Sequence, residues 1–349
     1  VSTVHVVVPD GIDDPDRPTG GNTYDRRLCR ELAALGWSLQ EHEIFGFWKR
    51  PGAGALRALD AALTRMADES LVLFDGLIAS NGADALVAQI GRLRMVVLVH
   101  MPVAHRPQRD DVRRSESAAL SAAAAVITTS EWARQRLTEL YDLDPHRLHV
   151  AEPGVDAAPL ASGTASGGSL LCVAAVTFEK GHDLLLEALR SVSDLAWHCV
   201  CVGSLDRDRA FAEQLDLAGG LRERVSFTGP HAGPDLDRDY ASTDLLILPS
   251  RAETYGLVIT EALARGVPVM ASEVGGVAEA LGHVRDGVRP GILVAPEDSA
   301  ALGAALRAWL CDPELRARLR DAARERRAAL RPWSETASAV ARVLEAATR

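Results

Sequence analysis

The chain has 349 residues, 47% of them hydrophobic, and 38 Lys and Arg against 48 Asp and Glu, for a net charge of −10. That length accommodates two domains of ordinary size with substantial cores. The acidic balance argues against nucleic acid or an anionic membrane as a primary partner, and no apolar run is long enough to span a bilayer.

The N-terminal VSTVHVVVPD runs directly into strand-like sequence, with neither the basic region nor the small-residue cleavage site of a signal peptide, so a cytoplasmic location is expected. The five cysteines, Cys29, Cys172, Cys199, Cys201 and Cys311, lack metal-ligand spacing. They read as reduced thiols filling core space.

The first half alternates strand-like runs (Val4–Val8, Leu71–Phe74, Met95–Val99, Ala125–Thr128) with helix-like runs (about Tyr24–Leu35, Ala55–Ala67, Ala83–Arg92, Glu131–Tyr141). Alternation of this kind predicts a parallel sheet covered by helices. After the first strand, Thr19-Gly20-Gly21-Asn22 precedes a helix. Its paired glycines let backbone approach a ligand closely, or they make a plain tight turn. Phe45, Phe47, Trp48, Lys49 and Arg50 form a short aromatic and basic cluster, expected as a buried or acceptor-facing loop. His100 ends the strand Met95–Val99, where residues of a doubly wound domain face the ligand crevice.

Pro153-Gly154-Val155-Asp156 reads as a turn, and the small, polar stretch Asp156–Gly168 as a flexible interdomain linker. A second series of strand candidates follows: Leu170–Val176, His198–Val202, Val225–Thr228, Leu245–Leu248, Pro268–Ala271 and Ile292–Val294. Lys180, beside a glycine at a helix start, suits a diphosphate. The Asp-x-Asp pairs, such as Asp206/Asp208 and Asp235/Asp237, sit in turn and helix-start contexts that favour aspartate anyway. From Asp298 onward the chain reads as helical, with a break at Pro332-Trp333.

Residues 243–276, TDLLILPSRAETYGLVITEALARGVPVMASEVGG, are the most informative stretch. The apolar run Leu245–Leu248 is stopped by Pro249 and Ser250, a helix is predicted from about Leu257 to Arg265, and Gly266 closes it. Glu253 and Glu261 lie eight residues apart, roughly 12 Å at a helical rise. Between them a helix start offers the amides of Gly256, Leu257 and Val258 and a partial positive charge suited to a diphosphate. Two surface glutamates at a helix start are the plainer reading of that spacing.

With its flanks PSRAETYGL and EALARGVPVMAS and the Gly275-Gly276 turn, this stretch resembles the E-x7-E signature of family-4 retaining glycosyltransferases. The resemblance implies an α/β fold of GT-B type, two Rossmann-like doubly wound domains facing across a cleft. The expected domains are residues 1–160 on the acceptor side and residues 161–332 binding the nucleotide sugar, with a last helix, 333–349, packing back on the first domain. It further implies Glu253, His100 and Lys180 as catalytic residues, and Gly20, Gly21, Lys180, Tyr255, Gly256, Leu257, Val258 and Glu261 as donor-binding. Glu261 would hold ribose, and Thr228-Gly229-Pro230-His231 would wall the base. The family carries an arginine five residues before the lysine. Here that position is Ala175: either another residue, with Arg251 the candidate, substitutes, or the donor's phosphates are held differently.

The activity implied is metal-independent, retaining transfer of a hexosyl or related group from a nucleoside diphosphate sugar, UDP or GDP, to a small-molecule, lipid or glycan hydroxyl. The nucleotide sugar is a co-substrate, and no resident cofactor is expected. Expected partners are that donor and an acceptor the sequence does not name; an oligomer is left open. Acceptor contacts are expected in the loops Asp10–Pro18, Ile44–Pro51 and Met101–Asp110; His105 lies in the last of these and is not assigned a role. A sugar-nucleotide epimerase, a phosphorylase and a non-catalytic sugar-binding protein stay open as alternatives. Donor hydrolysis sensitive to Glu253 and Lys180 separates the enzymes from the binding protein.

Overall fold

A computed structural model describes residues 2–16, 18–103, 110–215 and 221–348, with the backbone alone at 286. The chain divides into two compact units: residues 1–13, 20–154 and 333–349, and residues 14–19 with 155–332.

Unit 1 carries the strands β1 (Thr3–Pro9), β2 (Ser38–Ile44), β3 (Leu71–Asp75), β4 (Arg94–Val99), β5 (Ala125–Thr128) and β6 (Leu148–Val150). They form one six-stranded parallel sheet in the order β2-β1-β3-β4-β5-β6. Every residue of β3 and β5 is buried, as expected of strands covered on both faces. The helices are α1 (Gly20–Ala34), α2 (Ala53–Thr64), α3 (Gly76–Asn81), α4 (Ala83–Val87), α5 (Asp110–Ala122) and α6 (Glu131–Leu140). Val72, Phe74, Val97, Leu59, Leu63, Leu86 and Leu120 pack in one apolar cluster between sheet and helices.

Unit 2 carries β7 (Ser169–Val173), β8 (His198–Val202), β9 (Val225–Gly229), β10 (Leu245–Leu248), β11 (Val269–Ser272) and β12 (Gly291–Val294). They form a second parallel sheet in the order β12-β11-β10-β7-β8-β9. Its helices are α7 (His182–Arg190), α8 (Arg209–Gln214), α9 (Pro234–Ala241), α10 (Leu257–Ala264), α11 (Val277–Leu281), α12 (Ser299–Cys311) and α13 (Pro313–Arg327). Cores lie on both faces of the sheet, around Leu170, Leu185, Ile247 and Trp309 on one and Leu246, Ile259, Leu263 and Ala271 on the other.

The last helix, α14 (Trp333–Ala347), belongs to unit 1 and packs on α1. Trp333 stands edge-on to Tyr24, 5.5 Å between ring centroids, and Thr336 donates to the Glu152 carbonyl.

Several local expectations are corrected. Residues 156–168 carry no helix or strand, yet they are fastened along their length. The Ala161 amide donates to the Arg265 carbonyl, the Ser162 amide to the Ala241 carbonyl, and Thr164 to buried Asp244. Among the described residues the cysteines are free thiols, four buried, but Cys311 is exposed rather than core-filling. The 45–50 cluster is split: Trp48 is buried and donates to the Ile44 carbonyl, whereas Phe45 and Phe47 are exposed. The helix expected over Ala83–Arg92 ends at Val87 and continues as i+3 turns from Gln89 to Leu86 and from Ile90 to Val87.

Candidate active site

In each sheet the strand order reverses at one point. In unit 1 the chain leaves β1 for β2 and returns on the other side as β3; in unit 2 it leaves β7 for β8 and β9 and returns as β10. Loops at the carboxyl ends of strands flanking such a switch diverge and leave a crevice, the place where ligands bind in open α/β sheets. The sequence-predicted residues lie past the carboxyl ends of strands at or beside these switch points, after β7 and β10 in unit 2 and after β1 and β4 in unit 1.

In unit 2, Lys180 follows β7 and Glu253 follows β10. Lys180 Nζ lies 2.5 Å from Glu253 Oε1, and Ser250 Oγ donates to the same oxygen at 2.8 Å. The Glu253 side chain is 9% exposed and that of Lys180 29%. Glycine makes this approach feasible. Gly181 is left-handed, φ +70°, and a Cβ there would stand 2.1 Å from the Pro249 carbonyl oxygen. At Gly275, φ +54°, a Cβ would stand 1.6 Å from the Glu253 carbonyl oxygen. Both positions exclude side chains and let the loops press against one another.

Gly256, left-handed at φ +94°, opens α10 with no side-chain cap. The first-turn amides of Leu257 and Val258 are orphan donors at the positive end of the helix. Tyr255 is buried in the core behind them. Glu261 lies on α10, where the buried Tyr240 hydroxyl donates to its Oε2 at 2.8 Å. The carboxylate beside it and burial together raise the Tyr240 hydroxyl's pKa far above the ordinary tyrosine range, burial contributing most. At the end of β9, His231 Nδ1 meets Asp239 Oδ2 at 2.7 Å.

Arg251 does not stand free to replace the cation absent at Ala175. Its guanidinium makes two bonds to Asp183, at 2.8 and 2.7 Å, one to Glu297 at 3.1 Å and one to the Phe178 carbonyl at 2.7 Å. It also lies over the Phe178 ring, 4.0 Å from the centroid. A planar fork matched to a carboxylate in this way is committed. Its structural effect is to hold the turn carrying Lys180 against the loop carrying Glu253.

In unit 1, Gly20 and Gly21 start α1, and His100 follows β4. A Cβ on Gly21 would lie 3.2 Å from His100 Cδ2, so the glycine admits the imidazole itself. Two carboxylates missed in the sequence complete this group. His100 Nε2 is 2.8 Å from Asp25 Oδ1 and 3.7 Å from Asp75 Oδ2, and both aspartates are buried. Asp75 Oδ1 also accepts the amides of Leu77 and Ile78 as the N-cap of α3. Burial opposes charge on His100, but Asp25 and then Asp75 outweigh it and hold the imidazole up to about 9. Burial, reinforced by Asp25, pushes Asp75 up to about 6.

Among the described residues this is the only place where three potential metal-binding side chains bring ligand atoms within 4.8 Å of one another. We read it as a proton-holding group, because the Nε2–Oδ1 contact is a hydrogen bond and Asp75 already serves as a helix cap. The single signal available earlier was position: Asp75 ends a strand, as His100 does. His105 and most of the loop after His100 lie outside the described residues.

Two parallel doubly wound units with polar groups gathered at their switch points define an α/β protein of GT-B type. The family described as Glycosyltransferase Family 4 matches residues 4–158, and that described as Glycosyl transferases group 1 matches residues 167–326. The chain belongs to these family-4, group 1 glycosyltransferases.

Among similar curated proteins, a D-inositol 3-phosphate glycosyltransferase 1 of Catenulispora acidiphila is 34% identical over 241 residues, 63% of this chain and 56% of that protein. A D-inositol 3-phosphate glycosyltransferase of Frankia alni is 32% identical over 265 residues, 69% of this chain and 63% of that protein. The matched region thus spans less than two thirds of these relatives' length. Among solved structures, sucrose-phosphate synthase from Thermosynechococcus elongatus superposes with a TM-score of 0.81 at 22% identity, covering 99% of both chains. Anabaena Alr3699/HepE in complex with UDP and glucose does so with a TM-score of 0.78 at 17% identity, covering 99% of this chain and 100% of that one. Among the described residues no helix is long and apolar enough to cross a membrane.

Proposed function

We propose that the protein transfers a glycosyl group from a nucleoside diphosphate sugar to an acceptor hydroxyl, with retention at the anomeric carbon. The observation that carries the reading is the Lys180–Glu253 pair beside the uncapped start of α10, at the switch point of unit 2. The chemical problem is departure of a diphosphate that gains negative charge as the anomeric C–O bond breaks. Lys180 and the Leu257 and Val258 amides are fixed donors for that charge, so no metal ion is assigned a role. Glu253, oriented by Lys180 and Ser250, accepts hydrogen bonds from sugar hydroxyls. Glu261, oriented by Tyr240, accepts from ribose. The electron pair of the broken bond goes to the departing phosphate oxygen. The acceptor oxygen attacks from the same face and its proton passes to that phosphate, so no side chain serves as general base. Gly20, Gly21 and His100 of unit 1 are read as donor-directed.

UDP and GDP are the first donors to test; a solved neighbour carries UDP and glucose. The names of the curated relatives bring inositol 3-phosphate into the acceptor panel. The test is slow donor hydrolysis by the purified chain across UDP-, GDP-, ADP- and dTDP-sugars, alongside a thermal-shift panel, since a specific ligand stabilises the folded state. Hydrolysis lost in Glu253→Ala and Lys180→Ala supports the reading. Hydrolysis untouched by both overturns it.

A further inference from the structure

The Asp25–His100–Asp75 group has an asymmetry that the donor-directed reading leaves unused. Both carboxylates converge on the same imidazole nitrogen, Nε2. They come from different elements: Asp25 from α1, Asp75 from the end of β3. The other ring nitrogen, Nδ1, has no hydrogen-bond partner among the described residues, and the side chain is 19% exposed. Gly21 lies against the ring edge and Tyr24 stands edge-on to it, 5.3 Å between centroids, so the ring has little freedom to turn. Among the described residues, the titratable groups facing the imidazole are Asp25 and Tyr24 from α1 and Asp75 from β3. From β5's end, Thr129 reaches only the His100 carbonyl, and from α14, Trp333 meets Tyr24.

Two buried carboxylates this close to one nitrogen repel each other unless positive charge lies between them. A neutral imidazole leaves that repulsion uncompensated; an imidazolium offsets it and donates a charge-assisted hydrogen bond. We propose that Asp25 and Asp75 are positioning residues that hold His100 as an imidazolium, Nε2–H turned to the carboxylates and Nδ1–H kept as a fixed cationic donor to an oxygen of the sugar nucleotide. With both nitrogens protonated, His100 cannot take a proton from the acceptor. It acts by charge and direction.

This role rests on the glycosyl-transfer reading, but the protonation state does not, and two measurements separate them. The first is nitrogen NMR of the full, ligand-free chain with labelled histidine, the His100 signals assigned with His100→Gln. The expected result is a doubly protonated His100 ring through pH 8. Asp25→Asn should move its titration down by at least about one pH unit, roughly tenfold in proton affinity. Asp75→Asn, whose amide oxygen still caps α3, should move it the same way and serves if Asp25→Asn fails to fold. A wild-type ring titrating near the ordinary imidazole value overturns the proposal. So does a titration unmoved by either variant, or ring signals shifted by stoichiometric Zn2+ or Mg2+.

The second measurement is the pH profile of donor hydrolysis. Asp25→Asn should lose rate more steeply above pH 7 than below it, and Asp25→Glu should restore the basic limb. An imidazolium confirmed by NMR with a profile indifferent to Asp25→Asn overturns the functional half alone. If no sugar nucleotide is hydrolysed, the glycosyl-transfer reading fails and the NMR result still decides the protonation state.

Discussion

Lys180 Nζ rests 2.5 Å from Glu253 Oε1, joining the loop after β7 to the loop after β10 across the switch point of unit 2. Before any ligand arrives, each side chain sets the position of the other. A donor diphosphate would compete with Glu253 for the ammonium, and sugar hydroxyls would compete with Lys180 and Ser250 for the carboxylate.

Removing either partner should therefore affect chemistry more than binding. Lys180→Ala deletes a fixed donor for the leaving charge, and donor hydrolysis should fall by about 10²- to 10³-fold. Glu253→Gln keeps the shape and loses the charge, and its loss should appear mainly in kcat. Initial rates at saturating donor check both. A change confined to KM would contradict the assignment.

Gly275→Ala tests the packing behind Glu253. The added methyl would fall 1.6 Å from the Glu253 carbonyl oxygen, so the loop must move. Gly36→Ala is the control: its φ is also positive, at +90°, but nothing lies within 4 Å of the new methyl. The control should cost only about 1 kcal/mol of backbone strain. Gly275→Ala should cost more in urea denaturation and remove donor hydrolysis. Equal costs for the two would show that the tight approach at Gly275 has no energetic consequence.

Arg251→Lys keeps a positive charge but breaks the two-pronged contact with Asp183. If Arg251 holds the Lys180 turn in place, hydrolysis should drop by less than in Lys180→Ala, with some loss of thermal stability. An Arg251→Lys protein as stable as wild type, with weakened donor affinity only, would instead make Arg251 a direct phosphate ligand.

Asp244 is the anchor of the 156–168 segment. Its buried carboxylate accepts the amides of Thr164 and Ser169 and pairs with Arg320 at 2.6 Å. Asp244→Ala leaves those donors unpaired, and a loss of roughly 3–5 kcal/mol is expected in equilibrium unfolding of unit 2. A loss below about 1 kcal/mol would mean that the segment is held by its other contacts.

Stability should also fall with rising pH because of His100. Its imidazole is raised from 6.5 in an open chain to about 9 in the fold. A raised value means the folded state binds the proton more tightly. The contribution is therefore complete below pH 6.5 and is lost as pH rises through 9, with a ceiling of about 3 kcal/mol. Asp75, raised to about 6, acts in the same direction over the lower window, from 3.8 upward. Urea midpoints between pH 6.5 and 9 should decline in wild type and decline less in His100→Gln. Parallel declines would exclude His100 as the cause.

The sequence by itself determined the class of fold and marked Lys180, Glu253 and the start of α10 as candidates. Strands buried on both faces leave near-continuous apolar runs such as Leu71–Phe74 and Leu245–Leu248, and glycines at forced approaches leave fixed punctuation, as at Gly256 and Gly275. Edge strand β2, SLQEHEI, leaves no apolar run in the sequence because only its final residue is buried. Tertiary structure alone decided what Arg251 holds, that residues 156–168 are pinned, and that Asp25 and Asp75 meet at His100. Those contacts join residues 25 or more positions apart in sequence, or depend on a single buried partner such as Asp244. No local periodicity records which charges will share a dielectric-poor corner of the fold.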